Sequence, residues 1–118
     1  MSTAARSTPA GIELGDTLGT LLYGSPPSEI PMDDRLLAHL KVVIVNKLRR
    51  SEPFMLSWEI GPNEGSGRRS VWMHESIPLQ FRFVGSRPPA LNNTWIEQMM
   101  LASMSNEGLR LMPEPPES

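Results

Sequence analysis

The 118-residue chain has no cysteine. That removes disulfides, thiolate metal sites and cysteine nucleophiles together, and it suits a reducing compartment. Histidine is scarce as well, with only His39 and His74. His74 is followed by Glu75, but Ser-Ile-Pro then breaks the HExxH spacing that sets two imidazoles on one helix face around zinc. No metal site and no cofactor are expected. No serine stands in a GxSxG elbow, and the aspartates Asp16, Asp33 and Asp34 fall at turns or at a helix start. Nothing supplies a nucleophile, a base and an orienting group together, so no enzyme is expected. Long apolar runs are missing too. Val42–Val45 is the longest aliphatic stretch, far short of the roughly 20 residues that span a bilayer. The opening MSTAARSTPA has no apolar core of the secretory kind. A cytoplasmic protein is expected, with no membrane contact.

What is present is more specific. The formal charge of −2 hides an uneven distribution, because residues 33–50 carry five basic and two acidic groups. This stretch, DDRLLAHLKVVIVNKLRR, reads as one amphipathic helix. With the helical period, Leu36, Leu37, Leu40, Val43, Ile44 and Leu48 gather on one face. Arg35, His39, Asn46, Arg49 and Arg50 gather on the other, with Val42 among them. Asp33 is placed to cap the N-terminus, Asp34 favours the positive end of the helix dipole, and Pro53 closes the segment.

Around this helix the period changes. Thr17–Tyr23 predicts a first strand, ended by Gly24 and Ser-Pro-Pro. Phe54, Leu56, Trp58 and Ile60 alternate with Met55, Ser57 and Glu59 as a half-buried strand. Gly61–Gly67 then turns the chain, Ser70–His74 returns, and Leu79, Phe81 and Phe83 alternate as the third member of an antiparallel meander. Thr94 and Glu97 match a capping box at the start of a second helix running to about Ser105. Gly108 supplies a left-handed stop before a short edge strand at Leu109–Met112. The order β-α-β-β-β-α-β predicts an α+β fold, a mostly antiparallel sheet with two helices packed on one face. The domain spans residues 16–112, between a flexible arm at 1–15 and a disordered Pro/Glu tail at 113–118.

Two surfaces are candidates for binding. Arg35, Lys47, Arg49 and Arg50 on the first helix, with Arg68 and Arg69 beyond the glycine-rich turn, form a candidate phosphate-contacting set. The competing reading is a solvated helix face. The turn itself lacks the Lys-Ser/Thr of a phosphate loop and leads into a strand, so a hairpin tip is the simpler reading. Trp58, Phe81 and Phe83 point inward, which leaves little aromatic surface for stacking on bases. On the second helix, Trp95, Ile96, Met99, Met100 and Ala102 complete a buried stripe. Leu101 lies outside it and Met104 at its margin. With Met100 they form a candidate partner surface of the adaptable, methionine-rich kind.

The stretches GTLLYG, IPMDDRLLAHLKVVIVNKLRR, FMLSWEI, GSGRRSVWMHESIPLQFRF, LNNTWIEQMMLAS and GLRLMPEP together cover nearly everything from Gly19 to Pro115. In that order they resemble a family of short, uncharacterised actinobacterial proteins that often carry the label ATP-dependent DNA ligase. The resemblance implies an association with DNA at most. Ligase adenylylation needs a lysine nucleophile in KxDG, and the two lysines read Lys41-Val-Val-Ile and Lys47-Leu-Arg-Arg. The expectation is a non-enzymatic binding module that contacts a protein partner, or its own copy, through the second helix. The alternative is a weak nucleic-acid-binding accessory protein that uses the basic helix face.

Overall fold

A computed structural model describes residues 18–60 and 67–117. The expected arm at 1–15 and most of the Gly61–Gly67 turn lie outside the described residues. In chain order the elements are β1 (Leu18–Tyr23), β2 (Ser28–Asp33), α1 (Asp34–Arg49), β3 (Phe54–Ile60), β4 (Gly67–Met73), β5 (Leu79–Arg82), α2 (Asn93–Ser103) and β6 (Leu109–Arg110). The fold is α+β, with its strands in two three-stranded sheets of order β2-β1-β5 and β4-β3-β6. All pairings are antiparallel except β3 with β6. Among the described residues, no helix is long and apolar enough to cross a membrane.

Three features differ from the sequence reading. β2 occupies residues between the Ser-Pro-Pro turn and the helix, where no strand was expected. It carries Pro31 opposite Thr20, a placement open to proline because β2 lies at a sheet edge, where a missing N–H breaks no ladder. The three-strand meander also does not form. After β4 the chain turns at His74–Pro78, where the Ile77 amide donates to the His74 carbonyl at 3.0 Å. Gly24 then ties Pro78 to the other sheet, donating to its carbonyl at 2.9 Å. β5 pairs with β1, through Leu21↔Phe81 and Tyr23↔Leu79. A single sheet is thereby divided into two, and each receives its own helix. α1 packs on β1 and β2, α2 packs on β3 and β6, and the helices pack on each other.

The third difference is at the start of α2. The cap is Asn92, whose side-chain oxygen accepts from the amides of Thr94 at 3.1 Å and Trp95 at 3.3 Å. Thr94 therefore sits inside the first turn as a donor, and the Thr94–Glu97 box does not set the helix start. α1, by contrast, begins as its sequence requires, with Asp33 accepting from the Arg35 amide at 2.9 Å.

The core is continuous between the layers. Leu21, Met32, Leu36, Leu37, Leu40, Val43 and Ile44 meet Leu56, Trp58, Met73, Trp95, Met99 and Leu109, all buried. Each such side chain contributes about 1.5–3 kcal/mol by leaving water. Gly108, with φ +80°, allows the chain to pass against β3, since a Cβ there would lie 2.5 Å from the Met55 carbonyl oxygen. The parallel β6 pairing follows directly, Leu109 opposite Leu56, and the Leu111 amide extends it by donating to Ser57 O at 2.9 Å.

At Gly19 the sheet comes close to the start of α1. A Cβ there would lie 2.5 Å from Asp34 Oδ1, 2.8 Å from the Arg82 carbonyl oxygen and 2.9 Å from Leu37 Cδ2. Gly19→Ala is expected to destabilise the fold by about 2 kcal/mol through overpacking, read as a lower urea midpoint with an unchanged denaturant slope.

Candidate functional site

The loop after β5 is laid along the outer face of α1, and both of its ends are fastened there. At the first end, Asp34 is the opening residue of α1. Its carboxylate accepts from the Val84 amide at 3.1 Å and the Gly85 amide at 2.8 Å. At the other end, Arg35 Nη1 donates to the Ala90 carbonyl at 3.0 Å, and the Asn92 amide donates to His39 Nε2 at 2.8 Å. An amide can only donate, so Nε2 accepts. The imidazole proton therefore sits on Nδ1 and is donated to the Arg35 carbonyl at 2.7 Å. His39 is fully buried, against the expectation of an exposed place on the basic face, because the start of α2 and the Ala90–Asn92 segment close over that side of the helix. Its ring stands 4.7 Å from that of Trp95.

Glu114 completes this network. Its carboxylate accepts two hydrogen bonds from Arg35, from Nε and Nη2, each 2.8 Å long. Asn92 Nδ2 donates to Glu114 Oε2 and to the Pro115 carbonyl, both at 2.9 Å. The Trp95 indole N–H donates to the Met112 carbonyl at 3.2 Å. The Pro/Glu stretch, expected to be disordered, is thus docked through Glu114 and Pro115 across α1 and the α2 cap. Hydrogen bonds from Arg35, followed by those from Asn92, hold the Glu114 carboxyl down from an ordinary 4.5 to about 2. The same pairing raises the Arg35 guanidinium.

Between its two fastenings the 83–91 loop stands off from α1 and leaves a groove of about 920 Å³. Ala38, Val42 and Val45, spaced as a helical stripe, line one wall. Phe83, Pro88, Pro89 and Leu91 line the other. Lys41 also lines it, with Nζ 5.8 Å from the centre of the Phe83 ring, as does the exposed Arg87. Sequence reading placed Val42 among polar neighbours but did not identify this groove. The available signal was the second apolar spacing, Ala38–Val42–Val45, opposite the core stripe.

The expected phosphate-contacting residues are dispersed. Arg35 is engaged by Glu114, and Lys47 is buried with its ammonium 3.3 Å from Glu52. Arg49 and Arg50 are exposed at the end of α1. Arg68 and Arg69 lie opposite Glu59 and Trp58, at the far end of β3 from the α1 connection. That separation is roughly 15 Å along the strand. The partner-surface expectation maps to one place: Leu101 on α2 is 66% exposed and Met104, the residue that caps its C-terminus, 67%, with Met100 half-buried. His74 closes its own turn, its Nδ1 accepting from the Ser76 amide at 3.0 Å. Among the described residues, no three or more His, Asp or Glu side chains cluster as metal ligands.

A small α+β domain with an apolar groove on its first helix and an exposed apolar pair on its second is the class these features define. Residues 18–114 match the family described as a domain of unknown function, DUF7882, and the chain belongs to that family. No curated protein and no solved structure matches the chain.

Glu114 has a depressed folded-state pKa, so its contribution is complete above the ordinary carboxylate range and is lost as pH falls from 4.5 toward about 2. Solvent reaches both partners, so Glu114→Gln is expected to cost only about 1 kcal/mol at neutral pH. The wild-type and variant urea midpoints should converge by the acid end of that window. His39→Ala should cost more, about 3 kcal/mol, because it opens a cavity and strands the buried Asn92 amide. Hydrogen exchange at the Asn92 amide should accelerate with it.

Proposed function

We propose that this protein is a non-enzymatic binding module that engages a protein partner, a second copy of the chain included, through the outer face of α2. The observation carrying this reading is the pair Leu101 and Met104, one helical turn apart and each about two-thirds exposed. The core stripe of the same helix is already complete without them, with Trp95 and Met99 buried. Two large, flexible apolar side chains left in water at the C-terminal end of a helix suit a contact that can adapt to its partner. His39 uses both ring nitrogens in structural hydrogen bonds, which supports a role in the scaffold and not in proton transfer. The module is proposed to act in the cytoplasm.

Phosphate contact is the weaker reading. It rests on Arg49 and Arg50, exposed at the end of α1, now without help from Arg35 and Lys47. In that case, retention on a DNA column should fall with salt and with Arg49→Glu/Arg50→Glu.

For the primary reading, Leu101→Glu is expected to leave the far-ultraviolet circular dichroism unchanged. It should abolish self-association in sedimentation velocity, or capture of the partner from native extract. Association that survives the substitution removes this surface.

A further inference from the structure

The groove on α1 is built from residues that a solvated helix face does not require. Val45 is 37% exposed and Leu91 43%, and both line a space also walled by Val42, Phe83 and two prolines. The volume, about 920 Å³, falls within the range of small-ligand sites and is too small for a folded partner. Its walls are pre-formed, since the loop is fastened to α1 by Asp34 at one end and by Arg35 and His39 at the other.

The charges lining it decide the sign of the occupant. Asp34 keeps its negative charge but turns it to the Val84 and Gly85 amides, and the Arg35 charge is offset by Glu114, so the two further cations of the lining outnumber the one unpaired anion. Lys41 and Arg87 remain, both exposed, with Lys41 held over the Phe83 ring. We infer that the groove binds an amphipathic anion, a free long-chain carboxylate. Its alkyl chain lies on Val42, Val45, Phe83 and Leu91, and its carboxylate meets Lys41 and Arg87. The stripe from Ala38 to Val45 runs about 10 Å along the helix, a length an extended alkyl chain follows. This site is separate from the α2 surface, and it stands or falls independently of the partner contact.

The test is titration calorimetry of the full chain with dodecanoate below its micellar concentration, with dodecyltrimethylammonium as the cationic counterpart and acetate as the head group alone. Dodecanoate should saturate at one equivalent, while the other two should give no saturable heat. Lys41→Glu/Arg87→Glu should weaken dodecanoate by about tenfold, the sum of two surface ion contacts. Val45→Glu should abolish binding with unchanged circular dichroism. If Val45→Glu fails to fold, Arg87→Glu alone, on the exposed loop, reads the charge contribution. Absence of saturable dodecanoate binding overturns the inference. So does equal binding of the cationic detergent, or wild-type affinity in the charge-reversed variants. Saturable binding of an acidic amphipathic peptide with none of dodecanoate overturns it too, and would mark a peptide groove instead.

Discussion

The paired hydrogen bonds between Arg35 and Glu114 join parts of the chain that no local interaction would bring together, 79 residues apart. Arg35 belongs to the first turn of α1 and Glu114 to the segment after β6. Between them stands Asn92, which caps α2 with its side-chain oxygen, holds Glu114 and Pro115 with its side-chain nitrogen, and gives its backbone amide to His39. Each of these polar groups of Asn92 thus serves a different part of the chain. The two helices and the closing segment are therefore fixed by directional bonds laid over an otherwise apolar contact, which by itself would tolerate sliding.

The placement of the loop follows from this. Asp34 and Arg35 are neighbours, yet they hold opposite ends of the 83–91 segment, because successive helical residues point in different directions. A loop held at its ends and rich in proline keeps its middle away from the helix without needing strands or helices of its own. The groove is thus a product of the same interactions that hold the fold. Its position on the face of α1 opposite the core gives this helix two apolar sides. The surface on α2 is of another kind, a pair of exposed apolar side chains that belongs to neither wall of the groove.

Much of the architecture was legible because it is local. The 3.6-residue period of α1, its Asp33 cap, the alternation of β3 and the left-handed Gly108 each involve residues a few positions apart, and each forms as read. The exposure of Leu101 was legible for the same reason, whereas Met104, placed at the margin of the stripe, is just as exposed. What escaped depends on distant partners. β2 was hidden by Pro31, which is tolerated only because another strand makes β2 an edge. His39 carries a polar label on the helical wheel, and its burial comes from Asn92, on another element. Glu114 sits in a composition that resembles a tail, and nothing near it announces Arg35. The groove needed both of its walls, and one of them is a loop whose position no periodicity encodes.

The parallel pairing of β6 with β3 has a consequence for how the molecule is made. A ribosome delivers Leu109, Met112 and Glu114 after every element that they secure. While translation proceeds, β3 presents one unpaired edge, and the cap of α2 lacks the carboxylate that braces it. The nascent polypeptide must keep these surfaces apart from one another until residues 109–114 emerge, and sheet and helices close as one unit after that.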